Sequence, residues 1–253
     1  MSFERFKSIV DRIGKYVYIV DLFDWGEPLL NKDIYAIIRY AEQKHLCTNI
    51  HTNLNSKLSE ENVEQIVSSG LSYLSVSLDG ADQEVYSIYR RKGNLELALE
   101  NARRVIAFRK KTGSQKPHMT WQFLVFPHNR HQIERAKKMA FEIGFDRFRA
   151  TVGIMSGGLS NVKTSQDGIS AMKDLAETAC DWLWTTATIH WDGGVAPCCL
   201  EFKEEDDFGS IAHTDFKSVW NNDKFKYARS LFGRRIREHE KVLCSQCYKV
   251  RSL

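Results

Sequence analysis

Apolar residues in the opening stretch, FERFKSIVDRIG, recur at helical spacing, so that Phe3, Phe6, Ile9, Val10 and Ile13 share one stripe that stops at Gly14. The next run, YVYIVDLF, is continuous and β-rich, which predicts a strand. After the turn DWGEP the period becomes helical again in NKDIYAIIRYAEQK, with Ile34, Ile37, Ile38 and Ala41 on one face. The alternation then repeats as strand CTNIHTN, helix SEENVEQIVSSG, strand YLSVSLDG, helix LELALENARRVIAFRKK, strand MTWQFLVF, helix NRHQIERAKKMAFEIG and strand RFRATVG. Five short apolar strands separated by helices predict an α/β fold on a parallel sheet with right-handed crossovers.

In such sheets a ligand sits beyond the carboxyl ends of the strands, so the residues directly after each apolar run carry the information. Here they are polar: WGEP, TN, SLDG and PHN. From about Ile154 the pattern breaks into MSGGLSNVKTSQDG, which reads as a linker. Beyond it the chain is rich in Cys and Trp, and the Asp-Gly-Gly of TATIHWDGGVAPCC predicts a hairpin. The expected division is a first domain over 1–155, a linker over 156–178 and a small cysteine-rich domain over 179–253.

Composition narrows the classes. At 253 residues, 43% hydrophobic and 27% charged, the chain matches a soluble globular protein of one large or two modest domains. No apolar run approaches the roughly 20 residues of a membrane span, and the first residues lack a secretory signal, so a cytoplasmic protein without membrane partners is expected. A net charge of +4 is only mildly basic, and YRRKG, FRKK and GRRIREHEK read as solvated faces, so nucleic acid is not an expected partner. Six cysteines in a reducing compartment point to a metal, a cluster or burial rather than to disulfides.

The order WGEPLL, HTNLN, VSLDG, YRRKGNLELALEN, CDWLWTTATIHWDGGVAPCC, SVW and CSQC resembles radical S-adenosylmethionine (radical SAM) enzymes with a C-terminal SPASM or Twitch iron-sulfur domain. The resemblance implies a partial parallel (β/α) barrel that holds S-adenosylmethionine at the carboxyl ends of its strands. It implies that Gly26, Glu27 and Pro28 form the turn meeting the methionine ammonium, with Thr52 and Asn53 lining the same mouth. Ser77 and Asp79 fall where the family meets the ribose or carboxylate, and Arg90 would pair with that carboxylate. Taken singly, each has a plainer reading: Glu27 as a cap of the following turn, Asn53 and Asp79 as turn formers, Arg90 as a surface charge.

The family reaction requires a [4Fe-4S] cluster on a C-x-x-x-C-x-x-C loop after the first strand, and none of the six cysteines has that spacing. Cys47 is solitary within an apolar strand and is expected to be buried. The barrel is therefore expected to lack its first strand, by truncation or a late start, and the chain to be incomplete for catalysis.

Cys180, Cys198, Cys244 and Cys247 would supply the four thiolates of one auxiliary [4Fe-4S] cluster, the resemblance favouring Cys198 over the adjacent Cys199. Trp182, Trp184, Trp191 and Trp220 are candidates for its apolar shell. Four cysteines also make a structural zinc site, although zinc ribbons usually offer two C-x-x-C knuckles and this chain has one. The histidines show no metal-ligand spacing. Three functions stay open: radical modification of a peptide, sugar or small molecule with a flavodoxin or ferredoxin as reductant; a non-catalytic electron-transfer or binding module; and a zinc-stabilised interaction protein.

Overall fold

The computed structural model describes residues 1–153, 180–199, 203–212, 214–232 and 242–247. The chain divides into two compact units, Gly14–Gly153 and Met1–Ile13 with Ile154–Leu253. The expected linker over 156–178 lies outside the described residues.

In the Gly14–Gly153 unit the five expected strands form: β1 (Ile19–Asp21), β2 (Cys47–Thr52), β3 (Tyr73–Ser77), β4 (His118–Val125) and β5 (Arg147–Val152). They lie in the order β1-β2-β3-β4-β5, every neighbouring pair parallel. Sequential parallel strands with a helix in each crossover make an arc of a (β/α) barrel, the α/β class that the alternation predicts. The first strand is shorter than its apolar run. Tyr18 is 87% exposed and Ile19 56%, because β1 stands at the sheet edge with β2 as its one strand partner.

The crossover helices are α2 (Ile34–Gln43), α3 (Glu60–Ser68), α4 (Gln83–Tyr89), α5 (Leu95–Thr112) and α6 (Ile133–Ile143), after α1 (Phe3–Ile13). Their termini follow local chemistry. Ser59 and Asn62 form a reciprocal capping box at the start of α3, Asn94 accepts the Leu97 N–H at the start of α5, and Gly113 and Gly144 close α5 and α6 in the left-handed region. Helix α4 is absent from the alternation read in the sequence. It is seven residues long, capped by Asp82, and buries Tyr86.

Side chains alternate across the pleat, so the sheet has two unlike faces. Ile50, Leu74, Val76, Met119, Trp121 and Phe123 are fully buried in one cluster with Ile38, Ile66, Ala102 and Ala140 of the helices. Each such aliphatic or aromatic side chain contributes about 1.5–3 kcal/mol on burial. A bidentate ion pair braces the other end of the sheet: Arg109 of α5 donates from Nη1 to Asp146 Oδ2 at 2.5 Å and from Nη2 to Oδ1 at 3.0 Å.

In the second unit α1 buries Phe6, Ile9, Val10 and Ile13, while Phe3 stays half-buried. Arg12 of this helix donates to the Ile211 carbonyl at 2.6 Å, so α1 is held to the C-terminal unit, a placement that a boundary at 155 does not anticipate. The hairpin forms as expected from β6 (Thr188–Ile189) and β7 (Gly194–Ala196), and β8 (Gly209–Ser210) adds a third antiparallel strand. Short helices α7 (Trp182–Thr185), α8 (Phe216–Trp220) and α9 (Asp223–Ser230) accompany it. No described helix is long and apolar enough to cross a membrane.

Candidate cofactor cradle and thiolate centre

The turn after β1 is organised by one carboxylate. Glu27 Oε1 accepts the Leu29 N–H at 3.2 Å and the Thr52 hydroxyl at 2.7 Å, while Oε2 accepts the Asn53 N–H at 2.9 Å. Glu27 therefore does cap the short 3-10 turn Pro28–Leu30, as the plain reading has it, and also ties that turn to the end of β2. Pro28 is buried beneath it, and Gly26 is exposed with open space where a Cβ would stand. Thr52 is buried and accepts the Leu54 N–H through the same hydroxyl oxygen.

The end of β3 holds a second group. Ser77, half-exposed, pairs with Gln122 of β4. Asp79 has no solvent exposure, and its carboxylate accepts the Leu124 N–H and the Arg90 Nε–H, each at 2.6 Å. Burial pushes this carboxyl above its ordinary range against the pull of Arg90 and the Leu124 N–H. Arg90 is thus committed through Nε to a protein carboxylate, not simply solvated on the surface.

Three residues unassigned by the sequence reading, Asn55, Tyr86 and Asn129, join the groups. Asn55 accepts from Asn94 N at 2.5 Å and donates to the hydroxyl of the buried Tyr86 at 2.7 Å, one turn before Arg90. Asn53 Oδ1 accepts the Asn55 N–H at 2.8 Å, so hydrogen bonds and helix α4 connect Glu27 to Asp79. Asn129, fully buried, donates to the carbonyls of Asp79 and Leu124 and fixes the mouth of β4. It belongs to the PHN turn and Asn55 to HTNLN, so both were visible as strand-end polar residues; nothing in the pattern marks Tyr86.

The sheet face opposite the core is polar. Asn49 donates to Asp21 at 2.9 Å and Gln122 to Thr151 at 3.0 Å. His51 stacks on Phe23 with ring centroids 3.9 Å apart. Burial lowers its pKa, Asp21 pulls it up and Arg149 lowers it further, which places all three around one surface.

The cysteines separate into two environments. Cys47 is exposed, contrary to the expectation of burial: it opens β2, opposite Ile19 of the edge strand, on the same face of the strand as Asn49 and His51. Cys244 is buried in the turn Leu243–Gln246, which the Cys247 N–H closes onto the Cys244 carbonyl at 3.2 Å. Its thiol is pushed up to about 12, first by burial and then by the charges of Cys247 and Cys180. Cys198 and Cys199 stand half-buried just beyond β7. Trp184 and Trp191 are 48% and 66% exposed, whereas Trp220 stacks on Phe216 and packs against Phe225.

Comparisons with known proteins give the family. Residues 1–140 match the radical SAM superfamily and residues 180–248 match SPASM, an iron-sulfur cluster-binding domain. The chain belongs to the radical SAM superfamily and carries a SPASM domain. It is 32% identical over 99 residues to the Fe-coproporphyrin III synthase of Methanosarcina barkeri, a match covering 39% of this chain and 25% of that protein. The Streptococcus suis protein SuiB bound to the precursor peptide SuiA superposes with a TM-score of 0.69 at 14% identity, over 99% of this chain and 64% of that one. The protein anSMEcpe with bound AdoMet gives 0.65 at 15% identity, over 97% and 79%.

Proposed function

We propose that the chain binds S-adenosylmethionine at the carboxyl ends of β1–β3 and takes part in radical modification of a peptide, with one auxiliary [4Fe-4S] cluster on Cys180, Cys198, Cys244 and Cys247. The observation that carries this is the single Glu27 carboxylate gathering Leu29, Thr52 and Asn53, a turn built between two strand ends. Because its oxygens are already engaged, Glu27 shapes the turn, and the exposed backbone of Gly26 offers the carbonyl acceptors an ammonium needs. Asp79 positions Arg90 in the same way, leaving the two terminal nitrogens of the guanidinium for a ligand carboxylate. Ser77 and Asn53 supply polar groups for the ribose.

The residues fit the auxiliary cluster by donor chemistry, four soft thiolates with Cys244 and Cys247 on one turn. When bound, such a cluster supplies one-electron transfer. The chain's residues hold it, and loading requires loss of the proton that burial keeps on the Cys244 thiol. For a SAM-reducing cluster the fit fails, because the cysteines of this chain offer no C-x-x-x-C-x-x-C set. The peptide substrate is supported by SuiB, a fold relative with a bound precursor peptide. A flavodoxin or ferredoxin is the reductant in this reading.

Calorimetric titration of the full chain with S-adenosylmethionine tests the cradle: one site per chain is expected, weakened about tenfold or more by Arg90→Ala. Absence of binding would refute it. Anaerobic reconstitution with iron and sulfide should give a broad visible absorption that Cys247→Ala removes; stoichiometric zinc without such absorption would favour the zinc-stabilised module. Formation of 5'-deoxyadenosine separates an enzyme from an electron-transfer or binding module.

A further inference from the structure

Away from the thiols, the small sheet gathers three other metal-ligating side chains. His190 directly follows β6, Asp192 lies in the hairpin turn, and Asp207 precedes β8. One donor atom of each lies within 4.8 Å of the others, and among the described residues this is the one such group of three.

The polar atoms here are poorly served by the protein. His190 Nδ1 stands 3.1 Å from Asp207 Oδ1, yet neither atom has a hydrogen-bond partner among the described residues; the same holds for His190 Nε2, and all three are buried. Buried polar atoms are almost always paired, so an imidazole nitrogen and a carboxylate oxygen buried 3.1 Å apart without an aligned hydrogen bond call for a group the protein itself does not supply. A plain His-Asp ion pair would need an aligned hydrogen bond between these two atoms. Asp192 is held in place because its Oδ1 accepts the Gly194 N–H at 2.9 Å. Gly194 admits the third ligand: a Cβ there would collide with the Asp207 carboxylate.

We propose that His190, Asp192 and Asp207 bind one divalent first-row cation such as Mn2+ or Zn2+, clamping the hairpin to β8. One imidazole and two carboxylates are borderline-to-hard donors, suited to such an ion and unsuited to the thiophilic iron-sulfur centre expected on the cysteines. The site does not depend on S-adenosylmethionine or on the cluster. Nothing in the sequence spacing announces it, since Asp207 lies 17 positions from His190.

The test titrates the reduced full chain with MnCl2 and follows free Mn2+ by its solution electron paramagnetic resonance signal; Mn2+ is chosen because thiolates compete poorly for it. One Mn2+ bound per chain is expected, with affinity lowered about tenfold or more in Asp207→Asn and in His190→Gln. Circular dichroism checks that the variants fold. In the wild-type chain, a measurement that needs no variant, bound Mn2+ should broaden the His190 ring proton resonances selectively. Failure of the wild type to bind stoichiometric Mn2+ or Zn2+, or binding unchanged in folded variants, would overturn the proposal and leave an ion pair only.

Discussion

The Asp79 carboxylate, sealed from solvent at the end of β3, accepts the Nε–H of Arg90 at 2.6 Å and joins it to the Leu124 N–H of the next strand. Removing the charge strands Arg90 beside a neutral amide. Asp79→Asn is expected to lower stability by about 2–3 kcal/mol, read from the urea midpoint at unchanged slope. Affinity for S-adenosylmethionine should fall with it, because Arg90 loses its anchor.

Glu27→Gln keeps one acceptor and gives up the charge that serves three donors in two segments. A loss of about 1–2 kcal/mol in thermal or urea unfolding is expected. A variant as stable as the wild type would mean that the Glu27 bridge does not hold the turn.

Two glycines of the strand-end turns should respond oppositely. At Gly80 a Cβ would lie 2.6 Å from the Tyr86 backbone nitrogen, so Gly80→Ala forces α4 outward at a cost of about 1–3 kcal/mol. At Gly26 a Cβ meets nothing within 4 Å, so Gly26→Ala should shift stability by less than about 0.5 kcal/mol. Any fall in S-adenosylmethionine affinity in Gly26→Ala then reports the ligand's approach to that backbone.

The Arg109–Asp146 pair predicts an acid sensitivity. Burial alone would raise the Asp146 carboxyl, but Arg109 and the Met119 N–H outweigh it and hold it below the usual carboxylate range. The folded state therefore binds this proton less tightly than the unfolded chain does. Its stabilisation is fully present above the unfolded pKa of about 4 and is lost as pH falls through the lower folded value. The stability advantage of wild type over Asp146→Asn should be full at about pH 6 and shrink steadily below about pH 4. A difference independent of pH would contradict this.

Periodicity alone determined the five strands, most of the crossover helices and the parallel order, because burial of one face imposes a repeat that a single chain displays. The turn residues Glu27, Asn53 and Asp79 were legible for the same reason: polar residues directly after apolar runs stand at strand ends. The hairpin was equally plain from Asp-Gly-Gly, and the terminal C-x-x-C from its spacing. Tertiary structure decided what each of these touches. The sequence offered Asp79 as a ligand contact and Cys47 as a core residue; packing sealed the first behind Arg90 and left the second outside, since β2 pairs there with a short edge strand. Tyr86 and the His190–Asp192–Asp207 group had no local signature, because their partners come from separate strands and turns, and only closure of the chain in three dimensions brings such atoms within bonding distance.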